Sequence, residues 1–111
     1  MHAAAPIDAA MFAALGEPNR LRIVEALRGG PLSVGEIVER LGLRQPQVSK
    51  HLRVLGEARL VEVEVRHRFR IYRLRPDRFA ATAAWVDSFE QLWEERLDSL
   101  GELLHAVDDR P

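Results

Sequence analysis

The sequence contains no cysteine. This excludes disulfides, thiolate nucleophiles, thiolate metal sites and thiol redox sensing, and the composition fits a reducing cytoplasm. No apolar run approaches the roughly 20 residues of a membrane-spanning helix. The alanine-rich start, MHAAAPIDAAMFAAL, has no basic head and is interrupted by Asp8. It reads as a short tail leading into a helix, not as a secretory signal. Glycine-rich phosphate loops, nucleophile elbows and H-E-x-x-H helices are missing. Without an acid–base or nucleophile constellation the chain does not read as an enzyme, and no cofactor is expected. Internal repeats and low-complexity linkers are also absent. The 111 residues suffice for a single domain, 1–111, with a modest core.

Net positive charge is lacking too: the formal charge is −1. Its distribution is uneven. Residues 44–78 hold 10 Arg or Lys against 4 Asp or Glu, whereas the rest of the chain holds 6 against 13. Attraction to phosphate is local and is screened beyond roughly 8–10 Å, so the basic segment counts for more than the total.

That segment overlaps two helical patterns in residues 33–55, SVGEIVERLGLRQPQVSKHLRVL. Ser33 followed by Glu36 forms an S-x-x-E capping box at the start of a helix. Ile37 and Leu41, one turn apart, share an inward face. Gly42 suits the left-handed residue that ends a helix, and Pro46 fits the first turn of the next. Val48, Leu52 and Leu55 form the second helix's apolar stripe. Arg44, Gln45, Gln47, Ser49, Lys50 and Arg53 remain outside. These side-chain types bond base edges and phosphates, so residues 33–56 read as a helix-turn-helix.

Upstream, residues 7–15 form a short helix with Ile7, Met11 and Leu15 on one stripe and Phe12 beside it. A second helix spans about 18–28, with Leu21, Val24 and Leu27 or Ile23 facing inward. Gly29-Gly30-Pro31 stops it. Downstream, Val61, Val63 and Val65 alternate with Glu62 and Glu64, predicting a half-buried strand. Residues 69–74 form a second strand, so 60–75 read as a hairpin with Arg66, His67 and Arg68 at its tip. Pro76 ends the sheet.

Residues 79–107 then carry a roughly heptad stripe of Phe79, Val86, Phe89, Trp93, Leu97, Leu100, Leu104 and Val107, with Trp85, Leu92 and Leu103 alongside. The surrounding surface is acidic, with 8 Asp or Glu against 2 Arg in residues 79–111. No remaining element is long enough to cover that stripe. A second copy is the simplest cover, with 7–15 and 79–107 as dimerisation helices. The expected fold is therefore mainly α with a small β-hairpin. It is a winged helix-turn-helix of order α-α-α-α-β-β-α, dimeric through its terminal helices.

Particular residues place this reading in a family. Leu15-Gly16-Glu17-Pro18-Asn19-Arg20-Leu21-Arg22-Ile23-Val24 resembles the L-(A/G)-(D/E)-P-x-R-x-x-I-L opening of the ArsR/SmtB bacterial transcriptional repressors. Gln47-Val48-Ser49-Lys50-His51-Leu52-Arg53-Val54-Leu55 resembles their S-x-H-L-x-x-L recognition helix. Leu60-Val61 and the Arg-rich hairpin ending in Tyr72 resemble their wing. His67 stands where the wing turn commonly has glycine.

The resemblance implies a cytoplasmic homodimer that binds double-stranded DNA at an inverted repeat, and it leaves the effector open. Gln45, Gln47 and Ser49 would meet base edges. Arg44, Lys50 and Arg53 would meet phosphate or guanine, while Arg66, Arg68 and Arg70 would place the wing. His51 would either contact DNA or support the helix.

Metal-sensing relatives often carry C-x-C in the first helix of the motif. Here Ser33-Val34-Gly35 stands in its place. The only metal candidates are Glu102 and His105 with Asp108 or Asp109, whose ordinary reading is a solvated helix end. Two other readings compete with a plain DNA-binding repressor. One is a winged-helix protein-interaction module, and the other is the same repressor with a non-cysteine metal site.

Overall fold

In the computed structural model, which describes residues 9–108 and the side chains of 9–106, each early break is built from specific capping contacts. The first helix, α1, spans Ala9–Leu15. Its final carbonyls are closed from outside: the Arg20 guanidinium donates to Ala14 O at 2.7 Å and to Ala13 O at 3.5 Å. The second helix, α2, spans Pro18–Leu27 and is capped by Glu17, whose carboxylate accepts from Arg20 N–H at 2.9 Å. The L-G-E-P-x-R opening is thus a joint between two helices, in which one arginine serves both.

The inward face of α2 is Ile23, Val24 and Leu27. Leu21 departs from expectation and stays 47% exposed. Arg20, one turn before Val24, takes the inward position in order to reach α1, which turns Leu21 to the flank.

A two-residue strand, β1 (Leu32–Ser33), comes next and has no counterpart in the sequence reading. The third helix, α3, spans Val34–Leu41 and carries the expected capping box. Ser33 Oγ accepts from Glu36 N–H at 3.2 Å, and the Glu36 carboxylate accepts from Ser33 N–H at 2.9 Å. Gly42 ends α3 in the left-handed region, at φ 69°. Arg22 donates to Leu41 O at 3.0 Å, closing the same end. After the three-residue connection Gly42-Leu43-Arg44, α4 spans Gln45–Glu57, with Pro46 in its first turn.

The hairpin strands are β2 (Val61–Arg66) and β3 (Phe69–Leu74), paired from Val61 with Leu74 to Arg66 with Phe69. β1 joins the other edge of β3 through Leu32–Tyr72 and Ser33–Ile71, so the sheet runs β1-β3-β2, all antiparallel. The expectation of a half-buried first strand needs correction. Val61 is buried, but Val63 is 46% and Val65 64% exposed. The core ends at the hairpin's base, and the tip projects beyond it.

That core gathers Met11, Ile23, Ile37, Val48, Leu52, Leu55 and Leu60, all fully buried. It fastens α4 through its predicted stripe and leaves the opposite face free. The last helix, α5, spans Pro76–Asp108, 33 residues or about 50 Å. Pro76 sits at its start rather than only ending the sheet.

Only the first turns of α5 are held by the domain. Arg78 is buried and donates to Ala58 O at 3.4 Å, at the end of α4. Thr82 Oγ1 lies 3.2 Å from both Arg78 O and Met11 Sδ. Beyond Thr82 nearly every described side chain is exposed, including Trp85, Phe89, Trp93, Leu97 and Leu100. Phe12 of α1 packs against Trp85 at 5.5 Å between ring centroids, and Trp85 meets Phe89 at 4.8 Å. No helix among the described residues is long and apolar enough to cross a membrane.

Candidate nucleic-acid interface

Burial of Val48, Leu52 and Leu55 orients α4. At 100° per residue, the face opposite that stripe holds Pro46, Lys50, Arg53 and Glu57. Arg44, Gln45, Gln47, Ser49, Lys50 and Arg53 are all exposed. The predicted readers and cations therefore do lie on the solvent side of the helix.

Four of them divide between two grooves, one on each flank of α4, while Arg44 and Arg53 line neither. The wing-side groove encloses about 460 Å³ and brings Gln45 and Ser49 against Arg68, Phe69, Arg70 and Ser33. The first turn of α3 forms its end wall. The far groove, about 350 Å³, is lined by Gln47, Lys50, His51, Val54 and Arg20. A major groove is bordered by two phosphate backbones, and each flank of α4 presents cationic side chains to one side.

Two of the predicted residues also have structural partners. Gln47 Oε1 accepts from the Arg44 N–H at 3.2 Å, bracing the start of α4. Its amide N–H₂ can still donate to an acceptor on a base edge or phosphate. His51 is half-buried and turned toward α2. Its Nδ1 is closed from solvent, 3.7 Å from the Glu17 carboxylate that caps α2.

In the wing, charges are matched unequally. Arg66 Nε donates to Glu64 at 2.8 Å, and Arg73 reaches Glu62 at 3.2 Å and Glu64 at 2.9 Å. The hydrogen bond from Arg66, then its charge and that of Arg73, hold the Glu64 carboxyl below the usual carboxylate range. The same contact raises Arg66 above an ordinary arginine. Arg68 and Arg70 have no carboxylate partner among the described residues, so they carry the wing's unmatched positive charge. The Arg68 guanidinium lies over the Phe69 ring, 5.8 Å from its centroid. At the tip, His67 adopts φ 56°, the left-handed conformation that glycine takes without strain.

Phe69 is a groove residue that sequence reasoning passed over. It counted there only as a β-former, although it is an aromatic within a basic run at a hairpin tip. Ser33 was read as a cap and also proves to line the groove. Glu17, Arg20 and Arg78 were not singled out as positioning residues. Their contacts run to backbone carbonyls of other elements, an N–H in the next turn and a histidine on α4.

Glu102 and His105 are exposed near the end of α5. The side chain of Asp108 and all of Asp109 lie outside the described residues. Among the described residues no three His, Asp or Glu side chains are arranged to hold a metal ion.

A helix pair presenting a polar second helix, with a basic hairpin on its flank, defines a winged helix-turn-helix DNA-binding protein. Residues 17–63, from the cap of α2 into β2, match the family described as "Bacterial regulatory protein, arsR family". The "HTH-type transcriptional regulator Rv2034" of Mycobacterium tuberculosis is 38% identical over 86% of this chain and 87% of its own length. The "Transcriptional repressor SdpR" of Bacillus subtilis is 28% identical over 71% of this chain and 88% of its own. Among solved structures, the ArsR-like transcriptional regulator from Rhodococcus sp. RHA1 superposes with a TM-score of 0.71 at 27% identity, over 86% of this chain and 90% of that one. The chain belongs to the arsR family and is a DNA-binding transcriptional regulator.

Proposed function

We propose that the protein is a homodimeric repressor that occupies an inverted-repeat operator. Each copy would lay α4 in a major groove, with half-sites about one helical turn apart. The observation that carries this reading is the convergence of α4's polar face and the wing's unmatched arginines on one side of the domain.

Gln45, Gln47 and Ser49 are assigned to base edges, and Arg44, Lys50 and Arg53 to phosphate or guanine. Arg68 and Arg70 carry the wing's contact. Arg66 contributes less, since Glu64 already holds it. His51 is assigned a supporting role at the joint with Glu17.

The chain acts as one domain, 1–111, in the cytoplasm, without catalysis or a bound metal. Its terminal helices, α1 and α5, pair with those of the second copy. The acidic face of α5 is thereby kept away from DNA, which reconciles DNA binding with a net charge of −1.

Titrating a duplex at 50 and 200 mM salt tests the assignment. Affinity should fall steeply, and Arg53→Ala should flatten the log–log slope by about 0.9, the loss of one phosphate contact. If Arg53 binds guanine instead, its loss should relax sequence preference at one position. Salt-independent binding would overturn the DNA reading in favour of a protein-interaction module.

A further inference from the structure

The wing-side groove contains a side chain that charge and hydrogen bonding leave unexplained. Phe69 is 54% exposed although it sits at the mouth of a polar, cationic groove. Nothing in the fold needs an aromatic there. The core ends at the hairpin's base, and the cross-strand neighbour of Phe69 is Arg66. Among the described residues its one ring contact is the Arg68 guanidinium. The groove is open, and its volume of about 460 Å³ exceeds that of a single nucleotide unit. It lies between the exposed face of α4 and the wing.

We propose that this groove seats one sugar–phosphate unit of the operator backbone. Phe69 packs on the deoxyribose, and the Arg68 guanidinium beside its ring holds the adjoining phosphate. The inference rests on the DNA-binding reading and adds a binding subsite to it.

Charge decides where the phosphate lies. The start of α3 also lines the groove, but the Glu36 carboxylate is already bonded to the Ser33 N–H there. Hydrogen bonds from the Ser33 backbone and side chain, then the Arg40 charge, keep that carboxyl lower than usual and therefore ionised. A phosphate is drawn to the wing end, where the Arg68 guanidinium has no carboxylate partner among the described residues. The sugar then faces Phe69, the groove's large apolar wall. Arg68, stacked on that ring, is positioned for the phosphate beside the same sugar. Such a contact carries no base information, so its loss should weaken all sequences alike.

The test uses the full chain and a duplex selected by the wild-type protein from random-sequence DNA. Phe69→Ala should lower affinity about tenfold. Its salt slope and selected sequence should remain unchanged, because an apolar sugar contact releases no counterion. Phe69→Leu should recover most of the loss. Arg68→Ala should flatten the slope by about 0.9 on the same duplex. A neutral methylphosphonate at the adjoining position of each half-site should remove any further effect of Arg68→Ala.

Wild-type affinity in Phe69→Ala would overturn the subsite, as would a changed base preference, which would make Phe69 a base reader. Unchanged melting of Phe69→Ala is expected from its exposed position and confirms that the loss is one of contact. Failure of the wild-type protein to bind any duplex would sink the DNA-binding reading itself, a result distinct from intact binding indifferent to Phe69.

Discussion

Glu64 sets how much of the wing's positive charge is left unmatched. It accepts from Arg66 at 2.8 Å and from Arg73 at 2.9 Å, and its carboxyl is held below the ordinary range by those contacts. A carboxyl lowered by folding contributes stability above its unfolded value of about 4.5. That contribution is lost as the pH falls through the lower folded value. At neutral pH the pairing is complete, and Arg66 is partly screened from phosphate. Glu64→Gln keeps the shape and removes the charge. It should raise affinity for duplex DNA and steepen the salt slope by about 0.9 as Arg66 becomes available. An unchanged slope would show that Arg66 never meets a phosphate. The arginines at 66, 68 and 70 look equivalent in sequence. Glu64, two residues before Arg66 on the same face of β2, makes the difference, whereas the register sets Val65, not a carboxylate, opposite Arg70.

At the scale of elements, the helix-turn-helix was the most legible part of the chain. Its stops are local: the Ser33–Glu36 box, Gly42 at φ 69° and Pro46 in the first turn of α4. Ser33→Ala should cost about 1 kcal/mol of stability in denaturant titration, the usual loss for an N-cap. It should also weaken the acid dependence that Glu36 confers. The Ser33 hydrogen bonds hold that carboxyl low, so their contribution is present above a pH of about 4.5 and fades below it. A variant as stable as the wild type would mean that the cap does not define the start of α3. β1 was not legible, because two residues have no periodicity and the strand exists only where β3 passes beside it. The exposed position of Leu21 was hidden for a related reason. Which apolar residue of α2 turns inward depends on Arg20 reaching the end of α1.

The whole molecule is dominated by α5, which leaves the domain after Thr82 and carries its apolar stripe into solvent. Nine large apolar side chains between Trp85 and Leu104 are exposed, more than a lone soluble domain ordinarily shows. A stable interface hides roughly 800 Å² per partner, and a stripe of this length can supply that area. Trp93, 62% exposed, touches no core residue. Trp93→Glu together with Leu100→Glu should therefore leave the melting of the domain nearly unchanged. In sedimentation the protein should become monomeric, and affinity for an inverted repeat should fall by orders of magnitude, because two linked half-sites become two separate ones. A double variant that remains dimeric would remove α5 from the interface.

By itself the sequence determined the helices, the Ser33–Glu36 cap, the polar face of α4 and the segregation of charge. These depend on neighbours within about one turn or one strand repeat, and the chain carries those neighbours in order. Tertiary structure alone decided that His51 meets Glu17, that Arg66 is matched while Arg68 and Arg70 are not, and that Phe69 opens onto the same groove as Gln45 and Ser49. Those outcomes depend on which distant side chain reaches a given atom first, and no local period encodes that. The family motif marked α4 as the reader. The fold added a groove on each of its flanks, each lined by cationic side chains.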